Sequence, residues 1–250
     1  MPMLQGGYAT YGQSVGIIML DCAFPRPVGD IGNARSFPFP VRYEVLEGIA
    51  AARLTREEEP TAVAALIQAA QRLERAGVKI ILTSCGLFLR YQARLAEAVR
   101  VPVATSSVLL LPFLATLLPP SRKVGILTAD ARTLAPVLER AGWNDPGRVA
   151  VEGMEDHPIF RRAILEPAPP YALDSHAVQG EVIQAVQGLL EREPAVALLL
   201  VECTNLSPYS RSLREAFGLP VFDVTDMACL LQRAAGESDP PPHSEAPSHA

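Results

Sequence analysis

Two cysteines in this 250-residue chain stand in matching surroundings and could act on one substrate as a pair. The same 17 positions separate Cys85 from Pro102 and Cys203 from Pro220, and an apolar run precedes each cysteine. A thiol can give and take a proton, and as a thiolate it is a strong nucleophile. The spacing therefore predicts two thiols that face each other across a cleft, one from each copy of a repeated unit.

The repeated unit reads as strand, turn, helix and strand. Residues 15–20 and 123–128 are apolar runs typical of buried parallel strands, and segments with helical periodicity lie between such runs. This alternation predicts an α/β fold with mainly parallel sheets, and the duplication predicts two pseudo-symmetric Rossmann-like lobes. Helices are expected at 60–76, 133–142, 159–165, 178–191 and 227–235, and a further strand at 149–153. We expect a first lobe of residues 14–107 plus 219–235, a second lobe of residues 108–218, and flexible tails at 1–13 and 236–250.

The predicted strands also indicate where a ligand would bind. Open parallel sheets bind ligands beyond the carboxyl ends of their strands. Cys85 and Cys203 each follow a strand and precede a helix, where backbone N–H groups and the helix dipole favour an anion. Such donors can lower the pKa of a thiol or bind a substrate carboxylate. We therefore expect the active site in the cleft between the two lobes.

The composition excludes several classes of partner. The net charge of −5 and the scattered Lys and Arg give no basis for binding nucleic acid or an anionic membrane. The four cysteines include no CxxC pair and the first residues lack a secretion signal, so a cytoplasmic location is expected. Residues 101–120 carry no charge, but their prolines favour a strand and a connecting helix over a membrane span. His157 and His176 have no ligand spacing with either cysteine, so no metal site is predicted.

The stretch 22–43 is a long segment rich in Pro, Gly and Phe that follows the first predicted strand. Loops of this length are commonly binding loops or covers over a site. The other interpretation is a surface insertion that is packed by its own aromatic side chains.

Thr-Ser-Cys-Gly at 83–86 and Glu-Cys-Thr-Asn at 202–205 resemble the cysteine turns of the aspartate/glutamate racemase superfamily. That group includes hydantoin racemases, maleate isomerases and arylmalonate decarboxylases, and the resemblance extends from residue 15 to about residue 235. It implies a racemase or epimerase that acts on an amino acid or a related carboxylate, with neither pyridoxal phosphate nor a metal. It also implies that Cys85 and Cys203 are the acid/base pair and that the protein is a homodimer.

The resemblance places supporting residues beside the two thiols. Asp21 and Asn205 match positions that tune the cysteines of related racemases, although Asn205 stands where the glutamate racemases have histidine. Cys22 stands where they have serine. A carbanion-like transition state needs preorganised donors. Candidate donors are the backbone N–H groups of Gly86, Leu87, Thr204 and Asn205 and the hydroxyls of Ser84, Thr128 and Thr204. Arg42, His157 and Glu202 complete the candidate set, the first two with simpler interpretations as an exposed arginine and a surface histidine.

Other interpretations stay open. Cys85 and Cys203 could be buried apolar residues, as many free cysteines are. A maleate-type cis-trans isomerase or a decarboxylase would use the same fold. A non-catalytic binding protein built from two α/β lobes is the alternative outside enzymes, and it gives no reason for a repeated cysteine.

Overall fold

Two four-stranded parallel sheets form the framework of the protein, in a computed structural model that describes residues 7–49, 59–140, 143 and 145–235. The first sheet has the order β2-β1-β3-β4 and consists of β1 (Val15–Leu20), β2 (Val41–Leu46), β3 (Ile80–Thr83) and β4 (Val103–Ala104). The second has the order β6-β5-β7-β8 and consists of β5 (Lys123–Thr128), β6 (Val149–Gly153), β7 (Val196–Val201) and β8 (Val221–Phe222). The two orders are equivalent, which confirms the predicted α/β fold with a duplicated parallel sheet.

Helices connect the strands and cover the sheets. The α-helices are α1 (Pro60–Arg75), α2 (Gln92–Ala98), α3 (Leu111–Thr116), α4 (Ala131–Arg140), α5 (Pro158–Phe160), α6 (Ser175–Arg192), α7 (Ser210–Phe217) and α8 (Val224–Ala234). Short 3-10 helices lie at Ala34–Ser36, Gly86–Tyr91, Ser107–Leu110, Pro146–Arg148 and Ser207–Tyr209, and a π-helical turn at Arg161–Leu165 continues α5. Local signals explain several ends: Asp174 caps α6 through Ala177 N, and Gly77 follows α1 with φ +89°.

Close packing inside the sheets explains the glycines at the second position of β1 and the third of β5. A Cβ on Gly16 would lie 3.0 Å from Leu73 Cδ1, and one on Gly125 would lie 2.8 Å from Leu199 Cδ2. Both neighbours are buried leucines, so any larger side chain would push helix α1 or the adjacent strand away.

Strand β2 differs from the sequence pattern, which predicts that 22–43 is entirely a loop. Val41–Leu46 pairs in parallel with β1 at the edge of the first sheet, in a register that begins with Val15 opposite Val41. Most of its side chains are only half-buried, and the alternation of Arg42 and Glu44 with apolar residues breaks the continuous apolar run of a central strand.

Strand β8 lies within residues 219–235, which the sequence assigns to the first lobe. Val221–Phe222 pairs with β7 and therefore completes the second sheet, as β4 completes the first. Helix α8, which follows directly, packs its Val224 and Met227 side chains into the core around β1. The chain thus passes from the second sheet to the core around β1 after β8, and the lobe boundaries stay a prediction.

The uncharged segment 101–120 forms β4, a 3-10 turn and α3. Across the part of the chain that the structure describes, no helix is long and apolar enough to cross a membrane. Of the predicted tails, 7–13 are described, whereas 1–6 and 236–250 lie outside the described residues, as does the predicted helix end at Gly142.

Candidate active site

A cavity of about 420 Å³ lies where the carboxyl ends of the two sheets meet. Its walls come from the ends of β1 and β5 and from the turns after β3 and β7. Both Cys85 and Cys203 line this cavity, together with the predicted site residues Ser84, Gly86, Leu87, Thr128, Glu202, Thr204 and Asn205. A second depression, of about 510 Å³ beside β2 and α1, contains neither cysteine.

Cys85 is half-buried in the turn between β3 and the 3-10 helix Gly86–Tyr91. Burial and the nearby Glu202 carboxylate raise the pKa of the Cys85 thiol to about 12. The backbone N–H groups of Leu87 and Phe88 donate to the sulfur and act in the opposite direction. The thiol is therefore neutral at neutral pH, in a turn whose donors favour a developing negative charge.

Cys203 is buried in the equivalent turn after β7. Burial, followed by the charges of Glu202 and Cys85, raises its pKa well above the usual range, and the backbone N–H of Asn205 opposes that shift. The thiol donates to Asn205 Oδ1 at 3.8 Å. Because a charge on one sulfur raises the pKa of the other, the two thiols share one electrostatic environment.

Glu202 is a carboxyl group buried between the two cysteine turns, with 2% of its surface exposed. Its Oε2 accepts a 2.7 Å hydrogen bond from Thr128 Oγ1, whereas its buried Oε1 has no hydrogen-bond partner among the described residues. Burial raises the pKa of this carboxyl to about 7, against the lowering effect of the Thr128 hydrogen bond. A Cβ at Gly86 would lie 2.1 Å from Oε1, so the residue after Cys85 must be glycine for Glu202 to fit.

The hydroxyl groups at the strand ends join the two halves of the chain. Thr204 Oγ1 donates to Ser84 O at 2.7 Å, and Ser84 Oγ accepts from Leu20 N at 2.9 Å. Ser107 Oγ donates to Val201 O at 2.8 Å. The Thr204 hydroxyl therefore connects the two cysteine turns. The Ser84 hydroxyl is held in place by the N–H of Leu20 at the end of β1.

The loop after β1 supplies a polar chain that reaches Cys203, and the sequence pattern does not predict it. Asp30, with a side chain 1% exposed, accepts from Asn205 Nδ2 at 2.8 Å and from Arg26 at 2.8 Å. Arg26 also lies over the Phe24 ring, 4.7 Å from its centroid, and both residues line the cavity. Charges from the loop therefore orient the amide that contacts the Cys203 thiol.

A close backbone contact fixes this loop on the second cysteine turn. Gly29 has φ +104°, and a Cβ there would lie 2.6 Å from Pro208 Cα. The loop is thus a wall of the site. This favours the interpretation of 22–43 as a cover of the site rather than as a surface insertion.

Three predicted site residues do not line the cavity. Asp21 is exposed and accepts from Gly48 N at 2.9 Å through Oδ2. Arg42 lies on β2 and donates to Thr10 Oγ1 at 2.8 Å. His157 is the residue before α5.

The opposite wall of the cavity carries charged residues of both signs. Arg132 pairs with Asp130 at 2.9 Å, and Arg161 pairs with Glu166 at 2.7 Å. This wall includes the π-helical turn that continues α5. The buried Glu181 fixes α5, because its two carboxylate oxygens accept from the N–H groups of residues 159 and 160 at 2.9 and 2.8 Å. Among the described residues, no group of three or more His, Cys, Asp or Glu side chains could hold a metal ion.

The chain is similar in sequence to proteins of named activity. A dimethylsulfoniopropionate lyase of Durusdinium sp. clade D is 29% identical over 222 residues, which cover 84% of this chain and 71% of that protein. Dimethylsulfoniopropionate lyase 3 of Emiliania huxleyi strain CCMP1516 is 29% identical over 238 residues, which cover 91% of this chain and 61% of that protein. The chain thus spans less than two thirds of the length of the second relative.

Solved structures show the same fold. Aspartate racemase of Picrophilus torridus superposes with a TM-score of 0.56 at 16% identity, over 90% of this chain and 95% of that one. Allantoin racemase of Klebsiella pneumoniae gives 0.55 at 19% identity, over 91% of each chain. The model of the Asp/Glu/Hydantoin racemase family matches residues 42–231, which include both cysteine turns. The chain therefore belongs to the Asp/Glu/hydantoin racemase family.

Proposed function

We propose that this protein is a cofactor-independent lyase that cleaves dimethylsulfoniopropionate or a similar 3-sulfonio carboxylate. It would remove the proton from the carbon next to the carboxylate and expel a neutral sulfide from the next carbon. The observation that carries the proposal is the presence of the Cys85 and Cys203 thiols, one from each sheet, in one cavity. The two relatives named as lyases of this compound, aligned over 84% and 91% of this chain, support the choice of reaction.

The proposed step balances without an oxidant or reductant. The α C–H bond breaks and its proton passes to a base in the cavity. The electron pair forms the Cα–Cβ double bond, and the Cβ–S bond breaks with its electrons on sulfur. The products are acrylate, dimethyl sulfide and one proton. Negative charge that develops on the substrate carboxylate would be stabilised by the backbone N–H groups of the two cysteine turns, which already point at the sulfur atoms.

The charge of the cavity suits a zwitterion. Arg26 lies on one wall with the cysteine turns, and the opposite wall carries the carboxylates of Asp130, Glu155 and Glu166 together with the guanidinium groups of Arg132 and Arg161, so its carboxylates exceed its arginines by one. A sulfonium cation would be favoured beside these carboxylates while the substrate carboxylate faces Arg26 and the turn N–H groups. A cavity of about 420 Å³ has ample room for such a small molecule.

A racemase or epimerase of an amino acid or related carboxylate is the second candidate. It is favoured by the origin of the thiols on different sheets, since a two-base reaction needs one acid/base group on each face of the same carbon. This reaction requires no leaving group. A small-molecule carboxylate substrate is common to both candidates, and the cytoplasmic location and homodimeric state expected from the sequence stay predictions.

Product analysis in D₂O separates the candidates. The purified protein would be incubated with dimethylsulfoniopropionate and, in parallel, with a panel of L-amino acids and L-diacids, and followed by proton NMR and by gas chromatography of the headspace. The proposal predicts acrylate and dimethyl sulfide in equal amounts from the first substrate. Loss of the α-proton signal and of optical rotation from a panel compound, with no acrylate, would establish the racemase instead.

Cysteine variants connect the reaction to the site. Cys85→Ala and Cys203→Ala should each reduce turnover by at least about 100-fold, the usual contribution of a general acid or base. Cys229→Ala is the matched control, because Cys229 packs around β1 and does not line the cavity. Full turnover by either cavity variant would refute the assignment of the site.

A further inference from the structure

Glu202 is a buried titratable group that lines the cavity and has no role in the reaction proposed above. It neighbours Cys203 in the chain, and its Oε1 lies against Gly86, the residue after Cys85. The Cys203 thiol already has an acceptor in Asn205 Oδ1. Glu202 Oε1 is a buried acceptor that receives no hydrogen bond from Cys85 or from any other described residue, and it lies beside Gly86, which follows Cys85 in the chain. A buried carboxyl oxygen without a hydrogen-bond donor destabilises the folded protein, so its presence calls for a functional explanation.

We propose that Glu202 takes the proton of the Cys85 thiol while that thiol takes the α-proton of the substrate. Glu202 then acts through Cys85 and does not touch the substrate, so it is a positioning residue that also holds a proton. The inference rests on the proposed function, because it supplies the base for that reaction.

The state of the thiols explains why such a partner is needed. Burial and the charge of Glu202 raise the pKa of the Cys85 thiol to about 12, so the thiol is neutral at pH 8. A preformed thiolate base is therefore nearly absent. A neutral thiol can accept a proton only if its own proton leaves in the same step. The Glu202 carboxylate disfavours ionisation of Cys85 before the reaction, but it can accept the thiol proton during the reaction.

The proton balance is complete. The α C–H bond of the substrate breaks and a new S–H bond forms on Cys85, while the original S–H proton moves to Glu202 Oε1. The carboxyl group becomes neutral, the C–H electron pair forms the Cα–Cβ double bond, and the electron pair of the Cβ–S bond leaves with the sulfide. Glu202 then loses its proton to solvent through the cavity, which regenerates the carboxylate and accounts for the proton released in the reaction.

Each element around Glu202 contributes a defined group. The turn after β3 contributes Cys85, its own turn contributes Cys203, and the end of β5 contributes the Thr128 hydroxyl. Charges on Cys22 and Asp30 act on the thiols from the loop side. Thr128 donates to Oε2, so it stabilises the ionised carboxyl and leaves Oε1 as the acceptor.

The test measures thiol reactivity and turnover in the same variants of the full chain. In Glu202→Gln, the loss of the negative charge should increase the rate of Cys85 alkylation by iodoacetamide at pH 8 by about three- to tenfold. Turnover should fall by at least about 100-fold, because the amide cannot accept the proton. A residue that only repels charge would give a more reactive thiol and a faster enzyme, so equal or higher turnover in this variant would overturn the proposal.

Two further variants keep the test decisive if Glu202→Gln folds poorly. Glu202→Asp retains a carboxyl group and should recover part of the turnover. Thr128→Val removes the hydrogen bond that lowers the pKa of Glu202, and should move the acid limb of kcat/KM, expected near pH 7, to higher pH. An acid limb that stays in place in Thr128→Val would contradict the role of Glu202.

The two proposals fail in different ways. Absence of turnover of dimethylsulfoniopropionate by the wild-type chain would refute the proposed lyase. The alkylation rates would still test whether the Glu202 carboxyl is coupled to the Cys85 thiol. Alkylation rates of Cys85 that are the same in wild type and Glu202→Gln would refute the coupling of the carboxyl to the thiol, whatever the turnover.

Discussion

Removal of the Asp30 carboxylate is expected to destabilise the protein through the loop that covers the site. Asp30 accepts hydrogen bonds from Arg26 at 2.8 Å, from Gly32 N at 2.7 Å and from Asn205 Nδ2 at 2.8 Å. The bond to Asn205 joins residues 175 positions apart, so it connects the loop of the first lobe to the cysteine turn of the second. In Asp30→Ala all three donors lose their acceptor.

The magnitude follows from the burial of the pair. Removal of one partner of a buried ion pair costs about 3–5 kcal/mol, because the remaining charge is left without compensation. The Arg26 side chain is 13% exposed and borders the cavity, so water can solvate part of it. We therefore expect a loss at the lower end of this range, about 3 kcal/mol in the free energy of unfolding.

Urea unfolding followed by circular dichroism at pH 7.5 provides the assay. The matched control is Glu215→Ala, which removes an acidic residue from the Arg211 pair on α7, where both side chains are more than half exposed. That control should lose little unfolding free energy, because water already solvates both charges of the pair. A loss in Asp30→Ala as small as that of the control, at equal slope, would refute the view that this loop is held by a buried charge network.

Further predictions concern the cysteine turns. Thr204→Val should lose about 1–3 kcal/mol of unfolding free energy in urea, because the Ser84 carbonyl loses its donor across the two halves. Gly86→Ala should lose about 1–3 kcal/mol and most turnover, because its Cβ would overlap the Glu202 carboxyl; Gly147→Ala, whose Cβ would meet nothing closer than 3.5 Å, is the control. The pKa of Glu202 is higher in the folded state than its usual value of 4.5, so its contribution to stability is present at low pH and is lost as pH rises toward 7. The stability of wild type relative to Glu202→Gln should therefore fall between pH 4.5 and 7, and a difference that rises in urea titrations across this range would contradict the burial of Glu202.

The sequence predicts the parts of the fold that have a local signal. Both sheets follow from continuous apolar runs, and the thiol pair follows from a repeated turn that places each cysteine at the end of a central strand. Strand β2 is not predicted, because its edge position leaves most of its side chains half-buried. Arg42 and Glu44 therefore interrupt the apolar run by which a buried strand is identified. The same repeat predicts the short strand β8 directly after Pro220, where two residues pair with β7.

The support of the site depends on contacts that no local pattern marks. Asp30 and Asn205 meet only when the loop after β1 reaches the second lobe, and Gly29 is the one local sign of a close contact there. Glu181, on α6, fixes the start of α5 ahead of the π-helical turn, but its sequence context looks like that of any exposed helical acid. Asp21 is predicted from the resemblance, but its side chain turns to Gly48 rather than to the cavity.

The presence of two thiols from separate sheets in one cavity can be tested without a substrate. A Cys22→Ser variant, which removes the third cavity thiol, would be treated with dibromobimane, a reagent whose two thiol-reactive arms span only a short distance, and the tryptic peptides would be identified by mass spectrometry. One reagent molecule should join the peptide that contains Cys85 to the peptide that contains Cys203, with no cross-link to Cys229. Separate adducts on the two cysteines, in the absence of any cross-linked peptide, would contradict the shared site.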